Sequence, residues 1–148
     1  MKKQAYTMIA MVVLVSSLVV AAKAQTNGRI ALIANIPFQF NVGNKTLPAG
    51  EYTVQSISDD SSNVVLRMQS RDGKQSMMLQ MSTVEGRAKA SAKLIFNRYG
   101  DHYFLAQAWV DGQKTGLEVP KSRAERAAER EFAEITMATK SVTVTARR

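Results

Sequence analysis

Beyond residue 30 the chain alternates apolar and polar positions in short runs separated by glycine, proline and aspartate, the period-two pattern of strands that bury one face. Ile30 to Ile36 is almost continuously apolar until Pro37. Proline removes a ladder donor, so Pro37 is expected at an edge, a bulge or a bend between two strands. Phe38, Phe40 and Val42 then alternate with Gln39 and Asn41, and Gly43-Asn44-Lys45 reads as a turn. Leu47-Pro48-Ala49-Gly50-Glu51-Tyr52 bends the chain into a strand carrying Tyr52 and Val54. A Leu-x-x-Gly-x-Tyr run resembles the tyrosine corner of Greek-key proteins, whose ring packs inward while its hydroxyl bonds back to the preceding loop.

Val64, Leu66 and Met68 supply one apolar face, Arg71-Asp72-Gly73-Lys74 a hairpin turn, and Met77, Leu79 and Met81 the same face of the returning strand. Residues 91–99 and 102–110 form the strongest hairpin, with Gly100-Asp101 as a two-residue turn. Uninterrupted pairing would set Arg98 opposite Tyr103, Phe96 opposite Leu105 and Leu94 opposite Gln107. One face then holds Leu94, Phe96, Leu105 and Trp109, and the other Ile95, Phe104, Ala106, Ala108 and Val110. Both faces are apolar, so both require cover and the hairpin should be central. Asp111-Gly112 is a further turn, followed by a short strand near Thr115 to Val119, and Val142 to Thr145 reads as a closing strand.

A single helix is expected over about residues 120–134. Ser122-x-x-Glu125 has the form of a capping box, in which the hydroxyl takes an orphan amide and the carboxylate reaches back. Ala124, Ala127, Ala128, Phe132 and Ile135 fall on one side at helical spacing, and Arg123, Arg126 and Arg130 on the other. The predicted architecture is mainly β: one antiparallel β-sandwich or flattened barrel of about seven or eight strands with this helix near the C-terminus.

The N-terminus follows a different pattern. Met1-Lys2-Lys3 precedes an apolar run from Met8 to Ala22, broken only by Ser16 and Ser17, and Ala22-Lys23-Ala24 ends it. A basic start, an apolar stretch and a small-x-small site are the parts of a secretory signal peptide. Residues 1–24 are therefore expected to be a signal peptide helix cut between Ala24 and Gln25, leaving residues 25–148 as one domain. The apolar run is short for a bilayer span, which takes about 20 residues, so no transmembrane segment is expected after cleavage. The expected location is the periplasm or the outside of the cell. The chain has no cysteine, which excludes a lipoprotein anchor and disulfides. Removing three leader lysines from a net charge of +8 leaves +5. That excess suits anionic glycan or lipid partners and falls short of a nucleic-acid signature.

Candidate chemistry is sparse. His102 is the one histidine and sits at a hairpin turn, a poor setting for the oriented, shielded base of a hydrolase. One histidine without cysteine gives no metal-ligand spacing. Met68, Met77, Met78 and Met81 invite a copper reading, but methionine is also an ordinary core filler. Asp59-Asp60 and Asp72 are loop carboxylates of the kind that form turns. Tyr99, Tyr103 and Trp109 are candidates for a sugar-stacking platform or for padding of the core and its rim. Arg123, Arg126 and Arg130 are the candidate anionic-ligand surface, unless Glu129 and Glu134 neutralise them.

Ile36-Pro37-Phe38-x-Phe40-x-Val42, Leu47-Pro48-Ala49-Gly50-Glu51-Tyr52, Arg98-Tyr99-Gly100-Asp101-x-Tyr103-Phe104-Leu105 and Pro120-Lys121-Ser122-Arg123-Ala124-Glu125-Arg126 occur in this order. The set resembles a family of small exported bacterial β-rich proteins to which no activity is attached. The resemblance implies an exported β-domain and no catalytic residue. The expected function is a non-enzymatic envelope or extracellular module, binding or structural, with no cofactor and an envelope component or anionic glycan or lipid as partner. The alternatives are a small-barrel carrier of a hydrophobic ligand and, less favoured, a hydrolase.

Overall fold

The computed structural model describes residues 31–58, 64–135 and 140–148. The expected signal peptide with its Ala24–Gln25 cut, and Asp59-Asp60, lie outside them. The strands are β1 (Ala31–Ile36), β2 (Phe40–Val42), β3 (Lys45–Leu47), β4 (Gly50–Ser56), β5 (Val64–Ser70), β6 (Ser76–Glu85), β7 (Lys93–Tyr99), β8 (His102–Trp109), β9 (Thr115–Glu118) and β10 (Lys140–Arg147), with helix α1 (Arg123–Ile135) between the last two.

Eight of these strands form a closed antiparallel barrel in the order β8-β7-β10-β1-β4-β5-β6-β9. The pairing of β9 with β8, Gln107 with Glu118 and Ala108 with Leu117, completes the ring. It decides for a barrel over a sandwich. β6 makes closure possible by its length: Ser76 to Met81 pair with β5, and Ser82 to Glu85 pair with β9. The β2–β3 hairpin is an addition to the ring, attached to β8 by one parallel bridge between Asn41 and Phe104.

The route from β1 to β2 has a physical consequence. Four residues, Ile36 to Phe40, reach at most about 14 Å. Following the wall past β10, β7 and β8 takes four inter-strand steps, about 19 Å. The chain therefore crosses the barrel mouth, bending at Phe38 just after Pro37 has ended β1. It carries Phe38 onto Tyr103, stacked at 4.0 Å, and Phe40 between Tyr52 and Phe96, edge-on at 5.2 and 5.5 Å. Leu32, Ile36, Val54, Leu66, Met68, Met81, Leu94 and Leu105 complete a fully buried interior.

The tyrosine corner is present: the Tyr52 hydroxyl donates to the Pro48 carbonyl at 2.7 Å, and the ring is buried. Burial, with a smaller contribution from Asp72, holds the phenol above its ordinary pKa. Tyr52→Phe is expected to destabilise the fold by about 1 kcal/mol, the usual worth of one hydrogen bond, measured by urea denaturation with an unchanged m-value. A loss indistinguishable from zero would mean that the corner does not pin the β3–β4 loop.

The central hairpin pairs as expected at Arg98–Tyr103 and Phe96–Leu105, and then departs. A bulge between Ile95 and Phe96 inserts Ala106, so Leu94 faces Ala108 and Gln107 faces Ile95. One inserted residue exchanges the faces of everything beyond it. Ala108 and Val110 consequently join the barrel interior. Trp109, expected on the same face as Leu94 and Phe96, stands on the opposite, outer one beside Gln107, whose side-chain carbonyl accepts its indole N–H at 2.9 Å. It is nevertheless buried, because Gly86 and Gly116 lie against the indole and the Lys89 ammonium sits 4.6 Å from the ring centre.

The hairpin turns follow their glycines. Gly100 takes φ 58° at the first central position, where a type II′ turn places its glycine. In the β5–β6 loop only Gly73 takes positive φ, and Asp72 instead accepts hydrogen bonds from the Ser70 hydroxyl and the Lys74 amide.

Candidate functional site

Helix α1 begins at Arg123 rather than Pro120. The Val119 amide is still bound to the Ala106 carbonyl at 2.8 Å, and Ser122 is the N-cap. Its hydroxyl accepts the Glu125 amide at 3.1 Å, which is half of the predicted capping box. The other half differs. The Glu125 carboxylate turns to the barrel, where the Asn97 side-chain amide donates to it at 2.9 Å.

That contact sets the rotation of the whole helix. Glu125, Ala128, Glu129 and Phe132 form the barrel-facing stripe, whereas Ala124 and Ala127 are exposed, contrary to the apolar side expected from spacing. The alanines gain little by burial, while Phe132 lies over Gly100, where a side chain would overlap its ring. Glu125 is only 3% exposed. Burial pushes its carboxyl above the ordinary glutamate range, against the opposing pull of Asn97, Lys121 and the Tyr99 hydroxyl; Glu129 adds to the rise.

Arg123, Arg126 and Arg130 stand exposed on the outward face of the helix. The Arg130 Nε donates to the Arg126 main-chain carbonyl at 3.3 Å, which lays the Arg130 side chain back along the helix. Glu129, expected to neutralise this stripe, accepts instead from Lys121 Nζ at 2.6 Å, and that bond holds the lysine above its ordinary pKa. Glu125 is withdrawn into the interface. Among the acids of the helix, Glu131 is exposed at the side of the arginine face, and the spacing of Glu134 puts it four residues beyond Arg130.

The other sequence candidates are dispersed. His102 is exposed at its hairpin turn. Tyr99 is buried beneath α1 and edge-on to Phe104, Tyr103 lies at the mouth beneath Phe38 and 5.3 Å from the Arg98 guanidinium, and Trp109 is enclosed elsewhere on the wall. The three rings are thus not one platform. Met68 and Met81 are buried in the barrel, while Met78 is 66% exposed on the other face. Asp72 is held below the ordinary carboxylate range, chiefly by the Ser70 hydroxyl, as a turn former would be. Among the described residues, no cluster of three or more histidine or acidic side chains is placed to hold a metal ion.

Sequence reading missed one feature, a shallow open cleft of about 400 Å³ between the tyrosine-corner loop and the β5–β6 turn. Of its lining charges, Glu51 and Arg71 face each other at 3.4 Å, and Glu51 is as close to Arg147 outside the cleft. Sequence carries no signal for this cleft, because it arises where two turns distant along the chain meet. Among the described residues no helix is long and apolar enough to cross a membrane. No protein-family model, curated protein or solved structure gives a significant match to this chain.

Proposed function

We propose that this protein is an exported, non-catalytic barrel that binds an anionic envelope partner through the outward face of α1. One observation carries the reading: Arg123, Arg126 and Arg130 are exposed together, while the two acids nearest them in the first turns are diverted, Glu125 to Asn97 and Glu129 to Lys121. Three exposed guanidinium groups from which Glu125 and Glu129 are turned away favour a ligand carrying several sulfate, phosphate or carboxylate groups. The outward face offers Ala124 and Ala127 and no large apolar side chain to insert between lipids. An acidic glycan therefore fits it better than a bilayer. The signal-peptide pattern and the ordered motifs of the exported family support the envelope as the place of action.

The test titrates the mature protein, starting at Gln25, with heparin as a sulfated glycan and with vesicles containing anionic lipid. Heparin is expected to bind with a steep salt dependence. Arg123→Ala/Arg126→Ala/Arg130→Ala is expected to weaken it roughly tenfold to a hundredfold, from up to about 1 kcal/mol per exposed charge pair. Thermal stability should change little. Undiminished binding by the triple variant, or equal preference for vesicles, would overturn the reading.

A closed barrel is also an architecture that carriers use, and closure favours that second reading as far as it goes. Its weakness is Phe40, which occupies the space between Tyr52 and Phe96 where a ligand would enter.

A further inference from the structure

We infer that Glu125 is a proton-operated latch between α1 and the barrel, so that acidification consolidates the arginine face. The inference rests on the reading of that face as the binding surface and concerns its regulation.

A helix of thirteen residues is marginal by itself, since isolated helices shorter than about 12–15 residues barely hold in water. Docking on the barrel therefore decides whether Arg123, Arg126 and Arg130 keep their common face. The docking contacts are few in kind. Phe132 covers Gly100, and Glu125 enters the wall at Asn97 and Tyr99. An acid at the centre of such a contact makes docking sensitive to its charge.

The groups around Glu125 can be named element by element. From β7 come the Asn97 amide and the Tyr99 hydroxyl, both favouring the anion. From the helix and its approach come Lys121, which favours the anion, and Glu129, which opposes it. Phe104 of β8 packs on Tyr99 and brings no charge. Arg98 is engaged by the Gly100 carbonyl and the Tyr103 ring. His102, paired with Tyr99 across the hairpin, is exposed. Desolvation outweighs the favourable groups, and the carboxyl sits above its ordinary value.

The sign follows from linkage. The docked helix binds the Glu125 proton more tightly than the undocked helix does. Its contribution to docking is complete below the undocked glutamate pKa and is lost as pH rises through the docked one. The helix is therefore held most firmly in acid and loosened toward neutrality.

The experiment measures amide hydrogen exchange of α1, corrected for intrinsic rates, from pH 4 to pH 8. It compares the full mature protein with Glu125→Gln, which fixes the neutral form and keeps the acceptor for Asn97. Protection in the parent should rise on acidification, by the ratio of the docked and undocked acid constants. It should be high and flat in E125Q. His102→Gln should retain the parent profile, and a profile abolished by H102Q but kept in E125Q would overturn the latch. So would protection independent of pH in the parent. Heparin binding is followed in parallel, because its sulfates stay ionised across the range: affinity should track protection in the parent and stay high in E125Q. A pH-dependent protection without any heparin binding would support the latch and sink the proposed arginine surface instead.

Discussion

Phe40→Ala is expected to cost about 3–5 kcal/mol, the largest loss from any single side chain in this fold. The ring is fully buried and makes edge-on contacts with both Tyr52 and Phe96. It is also delivered by the segment that crosses the barrel mouth, so no strand of the wall can move in to replace it. Interiors are close-packed, and neighbours on a hydrogen-bonded wall collapse only partly into a void. A domain of this size has about 5–15 kcal/mol of stability. The variant should therefore fold with a much lower denaturation midpoint and an unchanged m-value, or fail to accumulate. Phe40→Leu, which restores most of the volume, should recover the greater part of the loss. A small effect, below about 1 kcal/mol, would contradict this packing account. It would mean that Phe40 lines a space prepared for something else, which is the carrier reading.

Much of the wall was legible because burial imposes a period. Val64, Leu66 and Met68, and Leu79 and Met81, can face inward only in one register. A slip by one residue would expose them all and bury Arg67 or Gln80. The tyrosine corner was legible for a similar reason: proline and glycine fix the bend, and the hydroxyl needs an acceptor nearby. The errors fall where this constraint is weak. In β7 and β8 both faces are apolar, so alternation gives no preference between a continuous ladder and a bulged one. The bulge at Ile95 and Phe96 could therefore turn Trp109 outward without exposing a polar residue inside. The outer position became acceptable through Gly86, after β6, and Gly116 of β9, which leave a slot for the indole that alternation along β8 does not reveal.

The helix was misread for the opposite reason. Its composition offered an apolar side of alanines, which bury little, and placed Glu125 in a capping role. Helix periodicity weighs a carboxylate as polar and therefore outward. It cannot anticipate that Asn97 and Tyr99 on another element would receive it. The arginine stripe itself was visible at i, i+3 and i+7. What sequence could not supply was the fate of Glu129, because Lys121 reaches it from eight residues away, beyond the i,i+3 and i,i+4 pairs of a helix surface.

Gly100→Ala should rank second to Phe40→Ala in cost, and its effect separates into two parts. The residue has φ 58°, a conformation that costs an L-residue about 1–2 kcal/mol. Its new methyl group would also overlap the Phe132 ring, an overpacking worth about 1–3 kcal/mol unless the helix gives way. The helix end is the softer partner, since Phe132 is only half-buried. The second part is therefore expected to appear as loss of α1 docking more than as loss of the barrel. Phe132→Ala removes the obstacle. In a double-mutant cycle Gly100→Ala should be milder in that background, leaving the backbone part alone. Amide protection should fall across α1 in Gly100→Ala while β7 and β10 stay protected, and heparin affinity should fall with it. If Gly100→Ala cost the same with and without Phe132, the ring would not be resting on the hairpin tip. The arginine face would then depend on Glu125 and the Ser122 cap for its position.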